Sequence, residues 1–168
     1  QGLRVIAVWK TGCGEYRQGR LRGLWCLYCH YHPHQAEKRE MSAFTHIVLG
    51  TNNLSNSTKF YDATLGALGL KNMGLLTEDN YVQYGVNTAE FMICTPANGQ
   101  PATPANGATI SFASPTRNAV DKFHEAGLAN GGTDEGQPGP RGWTPTAYAA
   151  YLHDPDGNKI CTFCFAEE

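Results

Sequence analysis

The chain has 168 residues, a formal net charge of −2, 41% hydrophobic residues and 17% charged residues. One domain is expected at that length. Its apolar content excludes wholesale disorder, and its 19 glycines and 9 prolines imply many turns without a collagen-like period. The charge is uneven: residues 1–40 carry seven Lys/Arg against three Asp/Glu, whereas 41–168 carry six against twelve. A nucleic-acid partner needs a basic footprint, so none is expected of 41–168. A membrane partner is not expected either, because no apolar run approaches the roughly 18 residues of a spanning helix.

In residues 1–40 the apolar run Val5–Trp9 is too short for a secretory signal. Neither the helical nor the strand period is present, so no element is assigned and the segment is expected to be poorly structured. It contains Cys26-Leu-Tyr-Cys29-His30, followed by His32 and His34. Three readings stay open: haem attachment by C-x-x-C-H, a zinc site of mixed S and N ligands, or an incidental motif in a basic leader or non-native extension. The composition changes at Met41, which reads as a start of translation.

From Met41 onward the chain repeats itself. With Ile47 set against Ile110 and no gap, Lys59 meets Lys122, Phe60 meets Phe123, Ala63 meets Ala126, Leu65 meets Leu128 and Gly69 meets Gly132. Each copy begins with a short strand, 45–49 and 108–112. A polar break suited to a helix N-terminus follows, at Thr51–Asn53 and Ser114–Thr116. Helices are predicted over 54–68, with a stripe of Leu54, Tyr61, Leu65 and Leu68, and over 117–130, with Val120, Phe123 and Leu128. Strands are expected near 74–76, 81–84 and 90–94 in the first copy, and at 148–153 and 159–165 in the second. Asp154-Pro-Asp-Gly-Asn158 forms the turn between the last two. Gly136–Gly142, rich in Gly and Pro, reads as a loop. The units span about 43–96 and 107–165, each β-α-β-β-β, within a domain of 41–168.

His46-Ile-Val-Leu-Gly50, Lys59-Phe-Tyr-Asp62 with Leu68-Gly-Leu70, and Tyr151-Leu-His-Asp-Pro-Asp-Gly-Asn158 resemble the vicinal oxygen chelate superfamily of glyoxalases, bleomycin-resistance proteins and extradiol dioxygenases. Gly131–Arg141 and Tyr148–Tyr151 resemble an uncharacterised glyoxalase-like subfamily. The resemblance implies an α+β fold in which two βαβββ repeats form one eight-stranded cup with helices outside. Strand alternation would then turn Ile47, Leu49, Ile110 and Phe112 toward the helices, and His46, Val48, Thr109 and Ser111 into the cup.

The resemblance also implies four metal positions, usually His on the first strand of each unit and Glu on the last. They fall here on His46, Thr109, Met92 and Cys161, so one of four conforms. A hard oxygen-chelating ion prefers carboxylates, and the nearest acid on the same face is Glu90. The expected metal ligands are His46 and Cys161. The expected catalytic groups are Glu90 and Cys161, and the expected substrate contacts are Met92, Thr109, Arg141, Trp143 and Tyr148. The last three sit in or just after the Gly/Pro loop at the cup mouth. Two functions follow: a small-molecule-binding protein with a depleted metal site and no cofactor, or a glyoxalase-like lyase, isomerase or dioxygenase using His46 and a divalent Zn, Ni or Fe ion. A homodimer is expected by analogy. Cys94 and Cys164 read as core, His124 as a solvated helix residue and His153 as structural. The lack of a disulfide pattern on the predicted strands suggests a cytoplasmic domain.

Overall fold

A computed structural model describes strands at 8–11 and 15–18, together with residues 43–76 and 81–167. The Cys26–His34 motif and Met41 lie outside the described residues. Gln1–Met41 and Ser42–Glu168 form separate compact units. The first contains β1 (Val8–Thr11) and β2 (Glu15–Gln18), an antiparallel pair where no periodicity foretells one.

In the second unit the repeat is visible as two sheets of four strands. β3 (Ile47–Gly50), α1 (Leu54–Ala67), β4 (Lys71–Leu76), β5 (Tyr81–Gly85) and β6 (Phe91–Cys94) make the first half. β7 (Ile110–Ala113), α2 (Arg117–Ala129), β8 (Thr133–Pro140), β9 (Tyr148–His153) and β10 (Lys159–Cys164) make the second. The strand orders are β3-β6-β5-β4 and β7-β10-β9-β8, and in each sheet the first and last strands of the unit run parallel. The pairings coincide: Ile47 with Phe91 and Val48 with Met92 in one, Ile110 with Ile160 and Ser111 with Cys161 in the other.

Both helices start where side-chain oxygens can accept from an unpaired backbone N–H. Asn53 Oδ1 accepts from Asn56 N and Thr116 Oγ1 from Ala119 N, each at 3.1 Å. The buried stripe of α1 is Ser57, Phe60, Tyr61, Thr64 and Leu65. That of α2 is Ala119, Val120, Phe123, His124 and Gly127, so Leu128 is left 43% exposed. Gly127 takes the stripe position because a Cβ there would strike Leu152 of β9 and press on Thr64 of α1. The two helices and β9 meet at that residue.

The core lies between helices and sheets. Phe60, Tyr61, Leu65, Tyr84, Phe91, Phe112, Phe123, Leu152 and Ile160 form one cluster, with Ile47, Leu49 and Ile110 packed against it. The expected alternation of β3 and β7 is therefore present, and Val48 is exposed on the other face. Phe91 of the first sheet meets Phe112 of the second edge to face at 5.2 Å between centroids, a favoured aromatic geometry. Cys94 and Cys164 are buried free thiols, as expected of core cysteines.

The β9–β10 turn also holds the first helix. Asp154 is buried; its Oδ1 accepts from the backbone of Asp156 and Asn158. Its Oδ2 accepts from the Asn158 side chain and, at 2.7 Å, from the hydroxyl of Tyr61 on α1. Asp156 accepts from Asn52 through backbone and side chain, and from Ser57 at 3.0 Å. Gly157 closes the turn with φ 85°, a backbone region that side-chain-bearing residues rarely adopt. Burial, followed by the charge of Asp154, raises the pKa of Tyr61 well above its ordinary value, so its hydroxyl remains a donor.

Two segments differ from expectation. The Gly/Pro-rich stretch is mostly strand: β8 runs to Pro140 as an edge strand, with register breaks between Asp134 and Gly136 and between Gly136 and Gly139. Proline and glycine are tolerated there because an edge strand need not donate on both sides. His124 is buried rather than solvated, and its Nε2 lies 2.8 Å from Asp134 Oδ1 of that strand.

Tyr61→Phe leaves the buried Asp154 oxygen short of a donor and is expected to cost about 1–3 kcal/mol in chemical denaturation. Tyr148→Phe removes a hydroxyl bonded to exposed Asp121 and is expected to cost no more than about 0.5 kcal/mol. Equal losses would contradict the assignment of the Tyr61–Asp154 bond.

Candidate functional site

Each sheet has one face against the helices and one face free of them. On the free face of the first sheet, Val48 stands beside Met92, and Met92 beside Gln83. His46 precedes β3, is exposed, and has Nδ1 3.2 Å from Thr45 Oγ1. The backbone of Ile47 donates to Glu90 O at 3.0 Å, which places exposed Glu90 at the same end of the sheet as His46. Met92 is buried at 8% exposure.

On the second sheet, register sets Ser111, Cys161 and Tyr151 in one row across β7, β10 and β9. Lys159 and His153 form the row on one side, and Ala113, Phe163 and Ala149 the row on the other. Thr109, just before β7, lines a recess of about 550 Å³ with Pro104–Ala108, His153, Gly157 and Lys159. Cys161 is buried, and burial pushes its thiol pKa up despite a Ser111 hydrogen bond and the charge of Lys159, both of which act downward. It is held as a neutral thiol, the less nucleophilic and less metal-binding form.

Beyond this row the face is aromatic. Trp143 stacks on Phe163 with centroids 4.9 Å apart and planes at 21°. Phe163 stacks in turn on Phe165 at 5.7 Å and meets Tyr151 edge to face at 5.9 Å. Tyr151 lies under two cations, with Arg141 Cζ and Lys159 Nζ each 5.4 Å from its centroid. Lys159 donates to Glu135 Oε1 at 2.9 Å, and His153 Nδ1 is 3.6 Å from Glu135 Oε2. The Lys159 hydrogen bond and charge hold the Glu135 carboxyl below its ordinary pKa.

The expected trio Arg141, Trp143 and Tyr148 is thus divided. Arg141 and Trp143 reach the free face, whereas Tyr148 packs with Val120, Ala150 and Cys164 on the helix side and donates its hydroxyl to Asp121 of α2. Tyr151, three residues on and of opposite parity, takes its place. Phe163 follows from the same alternation, two residues beyond Cys161.

Among the described residues, no three His, Cys, Asp or Glu side chains come together as a metal-binding group. The four family metal positions present an exposed imidazole, a buried thioether, an exposed hydroxyl and a buried neutral thiol. That donor chemistry does not fit a hard divalent ion that chelates substrate oxygens, which wants carboxylates.

Residues 43–162 match the family model described as Glyoxalase/Bleomycin resistance protein/Dioxygenase superfamily. The chain belongs to this superfamily. It is similar to the crystal structure of a glyoxalase/bleomycin resistance protein from Albidiferax ferrireducens T118, with 48% identity over 73% of this chain and 98% of that one and a TM-score of 0.67. The hypothetical protein SA1046 from S. aureus (22% identity, 73% and 94% covered, TM-score 0.55) shares the fold. So does the fosfomycin resistance protein FosX from Mesorhizobium loti (13% identity, 75% and 94% covered, TM-score 0.53). No curated protein matches the chain.

In the native chain Cys161 is expected to react with iodoacetamide at neutral pH about tenfold more slowly than a free model thiol. Peptide mapping after timed alkylation measures this, and a rate equal to that of the model thiol would contradict the burial of its sulfur.

Proposed function

We propose that the chain binds a small organic molecule on the free face of its second sheet, without the metal-centred chemistry of the superfamily's enzymes. The observation that carries this reading is the aromatic run Trp143–Phe163–Phe165 with Tyr151 at its side. Trp143 and Phe165 stay 71% and 55% exposed although both stack on the same ring. Contiguous exposed apolar surface of this kind marks a place where something docks, and small-molecule sites are mostly apolar with a few placed polar groups. Here Arg141 and the Ser111–Cys161 row supply the polar groups.

His46 and Glu90 belong to the first sheet and Cys161 to the second, and the donor set lacks the carboxylates that an enediolate-forming ion would use. A lyase or dioxygenase reading would rest on His46 alone.

Protein purified without an affinity tag is expected to carry substoichiometric metal, and His46→Ala is expected to change neither its metal content nor its thermal midpoint. Elemental analysis and a thermal melt measure both. One divalent ion per chain that disappears in His46→Ala, or lactoylglutathione formation on adding Ni²⁺ or Zn²⁺, would overturn the metal-independent reading.

A further inference from the structure

We propose that the free face of the second sheet recognises an aromatic carboxylate, with a flat ring laid against the Trp143–Phe163–Phe165 run and the anionic group held by Arg141. The inference rests on the reading of that face as a binding surface and adds the charge and shape of what it binds.

The argument begins with the cations of the face. Lys159 is neutralised by Glu135, which also faces His153. Arg141 takes no part in the ion pairs His124–Asp134, His153–Glu135 and Lys159–Glu135. Its Nη2 donates to the carbonyls of Gln137 at 2.7 Å and Ala149 at 2.9 Å, and its Nε is buried with no partner among the described residues. A guanidinium does not lose its proton in a protein, so the positive charge stands without a counter-charge among the described residues.

That charge is also held in position. The two carbonyls fix one terminal nitrogen of the guanidinium, and the Tyr151 ring lies against it. Gly139 and Gly136 flank it: a Cβ at Gly139 would sit 3.8 Å from Nη1, and one at Gly136 3.7 Å from Nη2. With Nη2 spent on the two carbonyls and Nε buried, Nη1 is left as a held donor for a charge-assisted hydrogen bond to a carboxylate oxygen. Trp143 follows Arg141 by two residues and is joined to it in space through Phe163 and Tyr151. A ring and an acid on one small molecule can therefore reach both at once.

Calorimetric titration of the full chain with 2-naphthoate and with neutral 2-naphthamide tests the proposal. Naphthoate is expected to bind about tenfold or more tightly than naphthamide, the scale of one charge-assisted contact. Arg141→Gln is expected to abolish that preference, while Lys159→Gln keeps it. Arg141→Lys retains the charge but loses the carbonyl-anchored placement of the donor, and is expected to weaken naphthoate several-fold. It serves as the deciding variant if Arg141→Gln lacks a cooperative thermal transition. Equal affinity for the two probes in the unaltered chain would overturn the inference while leaving the binding face intact. So would a preference that survives Arg141→Gln, a preference lost in Lys159→Gln, or full naphthoate affinity in Arg141→Lys. Failure of the unaltered chain to bind either probe would overturn the binding face and the inference together.

Discussion

The grip of the β9–β10 turn on α1 is the constraint on which the rest of the domain depends. Two aspartates two residues apart hold a helix about a hundred positions earlier, Asp154 through Tyr61 and Asp156 through Asn52 and Ser57. Both Tyr61 and Asp154 are buried, so each would be costly without the other. Because the turn is tight, its position sets the register of β9 against β10. Register in turn decides which side chains face the helices and which face away. Tyr151, Cys161 and Phe163 share a face because Lys159 pairs with His153 across that turn.

The duplicated units keep one geometry and differ in chemistry. Val48 and Met92 occupy the same pairing as Ser111 and Cys161, and His46 precedes its strand as Thr109 precedes its own. In a metal-dependent relative these positions would bring hard ligands together. Here the two halves carry different and mostly soft or neutral groups, and the second half adds the aromatic run and Arg141, which is in no ion pair among the described residues. The backbone frame of the superfamily is thus retained while the side chains on the two free faces differ.

Much of the fold was legible in the sequence because the signals were local. The capping residues Asn53 and Thr116, the Asp-Pro-Asp-Gly-Asn turn and the β3 and β7 alternation all act within a few residues. What was missed required tertiary contacts. β8 was hidden because its Gly and Pro content reads as loop, and only pairing with β9 at an edge makes a strand of it. His124 has no local reason to be buried until Asp134 arrives beside it from β8. The second helix stripe was assigned to Leu128 because an apolar residue was sought where close packing instead demands Gly127. Of the residues on the proposed face, Arg141 and Trp143 were expected from their loop context. Tyr151 and Phe163 were missed because face assignment in a strand turns on a single residue of phase.

Acid unfolding tests the central constraint most directly. Burial alone would raise the Asp156 carboxyl, but hydrogen bonds from Thr51, the Asn52 backbone, Ser57 and the Asn52 side chain outweigh it and lower its pKa below the ordinary 3.8. A depressed folded-state value means that the stabilisation is present above the unfolded pKa and is lost as pH falls through the folded one. Chemical denaturation from neutral pH to below that value should therefore show the unaltered chain losing stability more steeply than Asp156→Asn, which cannot titrate there. Parallel pH profiles for the two proteins would contradict the claim that the turn grips the first helix through this carboxylate.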